Sequence, residues 1–386
     1  MQLNPLIEEL GTYPFARLAS ARRRADERGV ELIDLGVGEP REETPAFIRA
    51  AMIAAIEAEP VSPYPLAAGL PELRRAIAGW LQRRFGVHVD PGIEVLPTLG
   101  SKEAIFHLAQ ALVGAGSERD LVAVTTPGYP VPARGARFAG AQVLELPLDP
   151  ASGWLPDISG IDEARWRRLA LIWVNHPGNP TGAVAPLAFY EDLAARCRAH
   201  GVVLASDEAY SEIWLDGDPP ASVLQVEDPT HVLAFHSLSK RSSMPGYRSG
   251  FVAGDPLLIA ALKQLRPSVG VAPQTFVQRA SIAAWGDEEH VRETRARYRA
   301  KRDLLLPAVR AAGLEPAGGE ATFFLWCRTP GGEDAEAFAE RLLAHGIVVA
   351  PGTFFGAGGE GHVRIALVPT LAECERAAQA FAAFSQ

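Results

Sequence analysis

Between residues 42 and 286 the chain alternates short apolar runs with amphipathic stretches. The runs at 121–124, 142–146, 169–174, 202–205, 232–235 and 250–252 are bounded by polar or turn-forming residues, which predicts strands. Helical spacing of apolar positions lies between several of them, notably at 103–112, 187–200 and 257–265. Such alternation requires crossover connections, so an α/β fold is expected: a mostly parallel sheet sandwiched by helices. Ligands of such sheets bind at the carboxyl ends of the strands. From 287 the texture changes. The charged stretch 288–312 carries Val291, Tyr298 and Leu305 at seven-residue spacing, with Val309 four residues on, and predicts a long helix exposing much of its surface. Strand-like segments at 321–327, 347–350 and 363–367, a helix at 335–345 and a closing helix from Leu371 complete a smaller α+β unit. The expected division is a large domain at 42–286 and a small domain formed by 1–41 and 287–386.

With 386 residues and 48% hydrophobic content, the chain is long enough for two domains and a substantial core. A net charge of −9, and a densest basic run (Arg22–Arg24) diluted at once by Asp26 and Glu27, argue against nucleic acid as a partner. That run reads as a solvated helix face. Cys197, Cys327 and Cys374 are odd in number and widely spaced, matching neither a disulfide framework nor a metal site and suiting a reducing compartment. The opening MQLNPLIEELGTYPF has no basic-then-apolar leader and no run approaches membrane-spanning length, so a cytoplasmic protein without membrane contact is expected. Only four lysines occur. Lys263 and Lys301 lie in charged helical stretches and read as surface residues, which leaves Lys102 and Lys240 for chemistry.

Lys240 stands in FHSLSKRSSMPGYRSG, among Ser237, Ser239 and Arg248, just past an apolar run. A lysine attacks carbonyls only when its surroundings favour the neutral amine. Hydroxyls and a fixed guanidinium beside it suit a phosphate dianion. A lysine next to a phosphate cradle is what a pyridoxal phosphate Schiff base requires, although in isolation the segment reads equally as a strand end with a solvated basic loop.

Four further segments bear on that choice. Gly100-Ser101-Lys102 opens a helix whose free backbone N–H groups favour an anion, or merely carries a serine cap. Tyr129, fixed between Gly128 and Pro130 after the 121–124 run, offers a face for stacking on a flat heteroaromatic ring. The loop NHPGNPTG (175–182) presents Asn179 as a donor to a phenolate oxygen. In SDEAY (206–210), Asp207 suits a protonated pyridine nitrogen and Tyr210 the ring oxygen, where a plain helix cap is the alternative.

In this order, NHPGNPTG, SDEAY and SLSKRSSMPGYRSG resemble the fold-type I pyridoxal phosphate enzymes, specifically class I/II aminotransferases, over nearly the whole chain. The resemblance implies that Lys240 forms the Schiff base, Asp207 faces the ring nitrogen, and Asn179 and Tyr210 bind the phenolic oxygen. It implies that Tyr129 stacks on the ring and that Ser101, the Lys102 backbone, Ser237 and Arg248 hold the phosphate. Tyr64, in PYPLAAGLPELR, matches a tyrosine that reaches the phosphate of a neighbouring subunit, which implies a homodimer with shared active sites. Gly38 in LGVGEP and Arg364 in HVRIAL match groups that meet the substrate's α-carboxylate; as a bare feature, Arg364 reads as a strand's solvent face. The implied reaction is ping-pong amino transfer between small-molecule amino and keto acids. TYPF, LGVGEPREETPAFI and SLSKRSSMPGYRSGFVAGD further resemble N-succinyldiaminopimelate aminotransferases of lysine biosynthesis, which use glutamate as donor; His176 and Gly178 depart from the pattern. A long substrate's distal carboxylates should need cations beyond Arg364, for which Arg41 and Arg241 are candidates. Aspartate- or alanine-type aminotransferases, a β-lyase and a non-catalytic cofactor-sensing module are the alternatives.

Overall fold

The six apolar runs and a seventh strand at Val95–Thr98 assemble into one sheet in the structure, a computed structural model that describes residues 1, 3–9, 23, 27, 29 and 31–384. The TYPF stretch, and Arg22, Arg24 and Asp26, lie outside the described residues. The strands are β1 (Val95–Thr98), β2 (Leu121–Thr126), β3 (Gln142–Pro147), β4 (Leu169–Asn175), β5 (Val203–Asp207), β6 (Val232–Ser237) and β7 (Gly250–Gly254). Their spatial order is β1-β7-β6-β5-β4-β2-β3. Only β7 runs against the others. The central strands read as continuous apolar runs because both faces are covered. Ile172, Val174, Leu204, Ala234 and Phe251 pack with Trp80 on one face. Leu171, Trp173, Ala205, Phe235 and Val252 pack with Leu108 on the other.

The C-terminal region forms an antiparallel sheet of β8 (Glu315–Pro316), β9 (Phe324–Arg328), β10 (Ala350–Pro351) and β11 (His362–Ala366), in the order β10-β11-β9-β8. Helices Glu289–Ala311, Ala335–Ala344 and Leu371–Phe384 supply Leu305, Val309, Phe338, Leu342 and Phe381 to its core. A short parallel pair, Ile33–Asp34 with Ile347–Val348, ties the N-terminal segment to this region.

Three differences from expectation have physical causes. The 347–350 run splits: its first half pairs with Ile33–Asp34 and its second with β11. The 321–327 run becomes a strand only at Phe324, because Thr322 adopts a left-handed φ of 70° and turns the chain first. The third concerns Lys301, read as a surface residue. It is buried at 2% exposure, with its amine 2.6 Å from the Glu42 carboxylate. A partner 259 residues away supplies the counter-charge that makes burial tolerable. On the same helix Arg295 lies over the Trp214 ring at 3.7 Å, while Arg297 and Arg299 stay exposed.

Candidate active site

The chemistry-bearing residues meet at one edge of the large sheet. Ser101 follows β1, Tyr129 follows β2, Asn179 follows β4, Asp207 ends β5 and Lys240 follows β6. Arg248 precedes the reversed strand β7, so the reversal returns it to the carboxyl edge of its neighbours. Gly250 pairs with Ser237 on one side and Thr98 on the other, which brings three distant segments to one place. They line a cavity of about 530 Å³ together with Gly38, Glu39, Tyr210 and Arg364.

Lys240 lies on the one-turn helix Leu238–Arg241. Its amine donates to the Gly38 carbonyl at 2.6 Å. Burial, then the positive charges of Arg364, Lys102 and Arg248, lowers its pKa to about 7, with Glu39 opposing. Desolvation acts on the charged form, which is how a lysine becomes a usable base near neutrality.

Asp207 is buried, and burial raises its carboxyl to about 6. Among the described residues it forms no ion pair; the Ala209 amide donates to it at 3.2 Å. Asn175 fixes the loop beside it, accepting from the Asn179 amide at 2.8 Å and donating to the Asp207 carbonyl at 2.8 Å. Asn175 was not singled out from sequence, although it opens the Asn-rich loop. Within the loop, His176 is buried with its ring nitrogen 3.4 Å from the Ala183 carbonyl, and burial lowers its pKa to about 4. It is a neutral packing group. Tyr210 meets Phe323 and Phe324 edge-on, with the Lys240 amine 5.9 Å from its ring centroid.

Ser101 begins the helix Ser101–Leu112 and Arg248 sits against that terminus. A side chain at Gly100 would stand 2.5 Å from the Arg248 guanidinium, and Gly100 has a φ of 68°, so glycine is required on both counts. Arg248 itself holds a φ of 53°, a conformation that costs a non-glycine residue about 1–3 kcal/mol. Its guanidinium bonds the Pro245 carbonyl at 2.8 Å and the Leu99 carbonyl at 3.3 Å, and approaches the Ser239 hydroxyl at 3.5 Å. Ser237 caps the one-turn helix by accepting from the Ser239 amide at 3.1 Å. Lys102 is exposed, its amine 5.9 Å from the Tyr129 ring centroid.

Arg364 is buried rather than solvent-facing. It bonds Asn179 Oδ1 and the Gly36 carbonyl, each at 2.8 Å, and lies over Phe324 at 4.0 Å and Phe355 at 4.6 Å. A side chain on Gly38 would strike the Phe324 ring at 2.6 Å, which explains the glycine there. Glu39 was passed over in the sequence; it is an exposed carboxylate at the cavity's edge with no ion pair among the described residues. The two arginines expected to bind distal carboxylates do not line the cavity. Arg41 pairs with Asp34 at 3.2 Å and Glu373 at 3.3 Å. Arg241 is buried on the far side of its turn, against Glu288 at 2.7 Å. Tyr64 is fully exposed on the single chain, outside the cavity lining.

Pyridoxal phosphate fits this donor set. The cavity combines cations and a helix terminus for a phosphate, a buried carboxylate lacking a cation, and an amine poised to lose its proton.

Comparison with known proteins agrees. Residues 30–381 match the family described as aminotransferase class I and II. LL-diaminopimelate aminotransferase of Nitratidesulfovibrio vulgaris strain DP4 is 41% identical over 379 residues, covering 96% of this chain and 97% of the relative. An aminotransferase from Neisseria meningitidis Z2491 superposes with a TM-score of 0.91 at 38% identity, over 100% of both chains. A structure described as a "probable N-succinyldiaminopimelate aminotransferase" from Thermus thermophilus gives 0.88 at 33% identity, over 96% of this chain and 99% of that one. A match of that extent, on a fold whose sheet edge gathers a lysine, a buried aspartate and an arginine at a helix terminus, places the chain in the class I and II aminotransferase family, whose members work with pyridoxal phosphate.

Proposed function

We propose that the chain moves an amino group between L-glutamate and the keto form of a diaminopimelate-type substrate, as a cytoplasmic homodimer with ping-pong kinetics. The carrying observation is the Lys240 amine, its pKa lowered to about 7 by burial, lining a cavity with the Arg364 guanidinium and the Glu39 carboxylate. Bound pyridoxal phosphate supplies the carbonyl that captures the substrate's amine and the ring that makes the α-proton acidic. In this reading Asp207 would pair with the ring nitrogen, Tyr129 would cover the ring, and Asn179 and Tyr210 would bind the phenolic oxygen. Ser101, the Lys102 amide, Ser237 and Arg248 hold the phosphate, joined by Tyr64 of a second copy. Arg364 takes the α-carboxylate in its planar fork, with the Gly38 backbone beside it. Lys240, with its amine free, would move the proton from the substrate's α-carbon, acting as base and then as acid. The domain division at 42–286 and 1–41 with 287–386 belongs to the same reading; the separate sheets support it, with Tyr210, Ile213 and Leu215 of the large domain packing into the small-domain core. Among the described residues no helix is long and apolar enough to cross a membrane.

The free diamino acid is favoured over its succinylated form. Phe324, Phe354 and Phe355 offer an apolar wall for methylenes, and Glu39 a partner for a distal ammonium. Succinylation removes that ammonium and adds a carboxylate. The name of the 41% identical relative supports the free form; that of the Thermus structure supports the succinylated one.

The deciding experiment loads the protein with pyridoxal phosphate and follows its yellow absorbance. L-Glutamate is expected to bleach it, as is LL-diaminopimelate, whereas N-succinyl-LL-diaminopimelate is expected to act at least about ten-fold less efficiently, a difference of about 1.4 kcal/mol. The reverse preference would select the succinylated substrate. No bleaching by any of the three would refute the reading. Glu39→Gln is expected to raise KM for LL-diaminopimelate about five-fold while leaving that for glutamate unchanged or lower. Equal effects on both substrates would remove Glu39 from recognition.

A further inference from the structure

Arg241 follows Lys240 and turns its side chain the opposite way, into the protein. Its guanidinium lies beside a pair of touching indoles, 5.7 Å from the Trp80 ring centroid and 5.0 Å from that of Trp285, which are themselves 4.6 Å apart. It donates to the carbonyls of Ala284 at 2.7 Å and Asp287 at 3.0 Å, and to the Glu288 carboxylate at 2.7 Å. The next residue repeats the tie: Ser242 Oγ lies 2.8 Å from His290 Nε2, and His290 Nδ1 lies 2.6 Å from Asp287. Residues 241 and 242 are thus fastened to 284–290, the junction between helices Thr275–Gly286 and Glu289–Ala311. Further along the second helix, Lys301 holds Glu42, and Gly38, four residues before Glu42, accepts the Lys240 amine's hydrogen bond. The ties form a closed circuit from Lys240 back to Lys240.

A one-turn helix cannot hold its own shape, because isolated helices need about 12–15 residues to become even marginally stable in water. The turn carrying Lys240 spans only Leu238–Arg241, so contacts outside it must set its position. Burying a guanidinium is costly unless its donors are satisfied. Here Nη1 and Nη2 reach three acceptors and the group lies against a pair of aromatic rings, an arrangement an ammonium cannot reproduce, while Nε has no partner among the described residues.

We propose that Arg241 is a positioning residue: with Ser242 it clamps the one-turn helix to the 284–290 junction and so fixes where the Lys240 amine stands. The inference rests on Lys240 being the lysine that moves the proton. In Arg241→Met, kcat is expected to fall about 10–100-fold with KM changed less than about two-fold, the signature of a misplaced reacting group. A second readout needs no cofactor. The pH dependence of acylation of Lys240 by an amine-reactive ester, followed by mass spectrometry on the apo-protein, is expected to shift to higher pH than in the wild type. Arg241→Lys should recover part of both effects. Should Arg241→Met fail to fold, Glu288→Gln and Ser242→Ala serve the same two measurements. Wild-type kcat and an unshifted acylation profile, with only Tm lowered, would overturn the proposal and leave Arg241 a structural anchor. Full turnover by Lys240→Ala would instead refute the reading beneath it, while the acylation readout on the wild-type and Arg241 chains would still report on the clamp.

Discussion

Lys240→Ala is expected to reduce turnover by at least about 10⁴-fold, the upper range for losing a positioned acid–base group. The side chain is asked to do two things, hold the cofactor's carbonyl carbon and move a proton, and no neighbour can take over either. Lys102, the other lysine of the cavity, points its amine over Tyr129, whereas the Lys240 amine stands at Gly38. Arg364 and Arg248 offer guanidinium groups, which donate hydrogen bonds but have no acceptor for a proton. The check is single-turnover bleaching of the loaded protein by L-glutamate, with phosphate-site binding of the cofactor measured separately. The wild type carries its own control in pH. The Lys240 amine is charged below about 7 and neutral above it. Capture of pyridoxal phosphate by the apo-protein should therefore accelerate up to about pH 7 and then level off, rather than climb toward the ordinary lysine value of 10.5. A Lys240→Ala chain retaining a tenth of wild-type turnover would sink the assignment.

Asp207→Asn should slow the reaction by about 10²–10⁴-fold, because removing one partner of a buried charge pair costs about 3–5 kcal/mol. Asparagine keeps the shape and can still accept from the Ala209 amide, but it cannot carry the charge that keeps a pyridine nitrogen protonated. Stability should move the other way. Burial raises the Asp207 pKa from 3.8 to about 6, so the ligand-free fold binds a proton that the unfolded chain has already lost across that interval. The wild-type apo-protein therefore loses stability as pH rises from 3.8 to about 6. The asparagine variant escapes that loss and should melt at an equal or higher temperature at pH 7. Lower activity with a lower Tm would point to damaged packing instead of lost charge.

The strands and the loops after them were legible because local signals specify them: apolar runs, then clusters of Asn, Pro, Gly and Ser. What escaped was determined at long range. β1 contains Pro97 and reads poorly as a strand, and it forms because β7 pairs along its whole length. The reversal of β7, which delivers Arg248 to the site, leaves no trace in the apolar pattern. Lys301 and Arg241 read as solvated or substrate-facing because their partners, Glu42 and Glu288, sit 259 and 47 residues away. Arg364 was readable only through family resemblance. Alternation with Val363 and Ile365 suggested a solvent face, whereas the structure surrounds it with Phe324, Phe355 and Asn179.

The edge strand β1 has a consequence for how the protein is made. Its sheet neighbour is β7, and Thr98 meets Gly250, about 150 residues later in the chain. At ribosomal rates of about 5–20 residues per second, β1 waits roughly 8–30 s for the segment that completes it. Throughout that interval the helix terminus at Ser101 and the guanidinium of Arg248 are not yet in one place. The proposed phosphate site is thus assembled late in synthesis, and a nascent chain arrested before residue 250 should fail to retain pyridoxal phosphate even though the sequence through Lys240 has been translated.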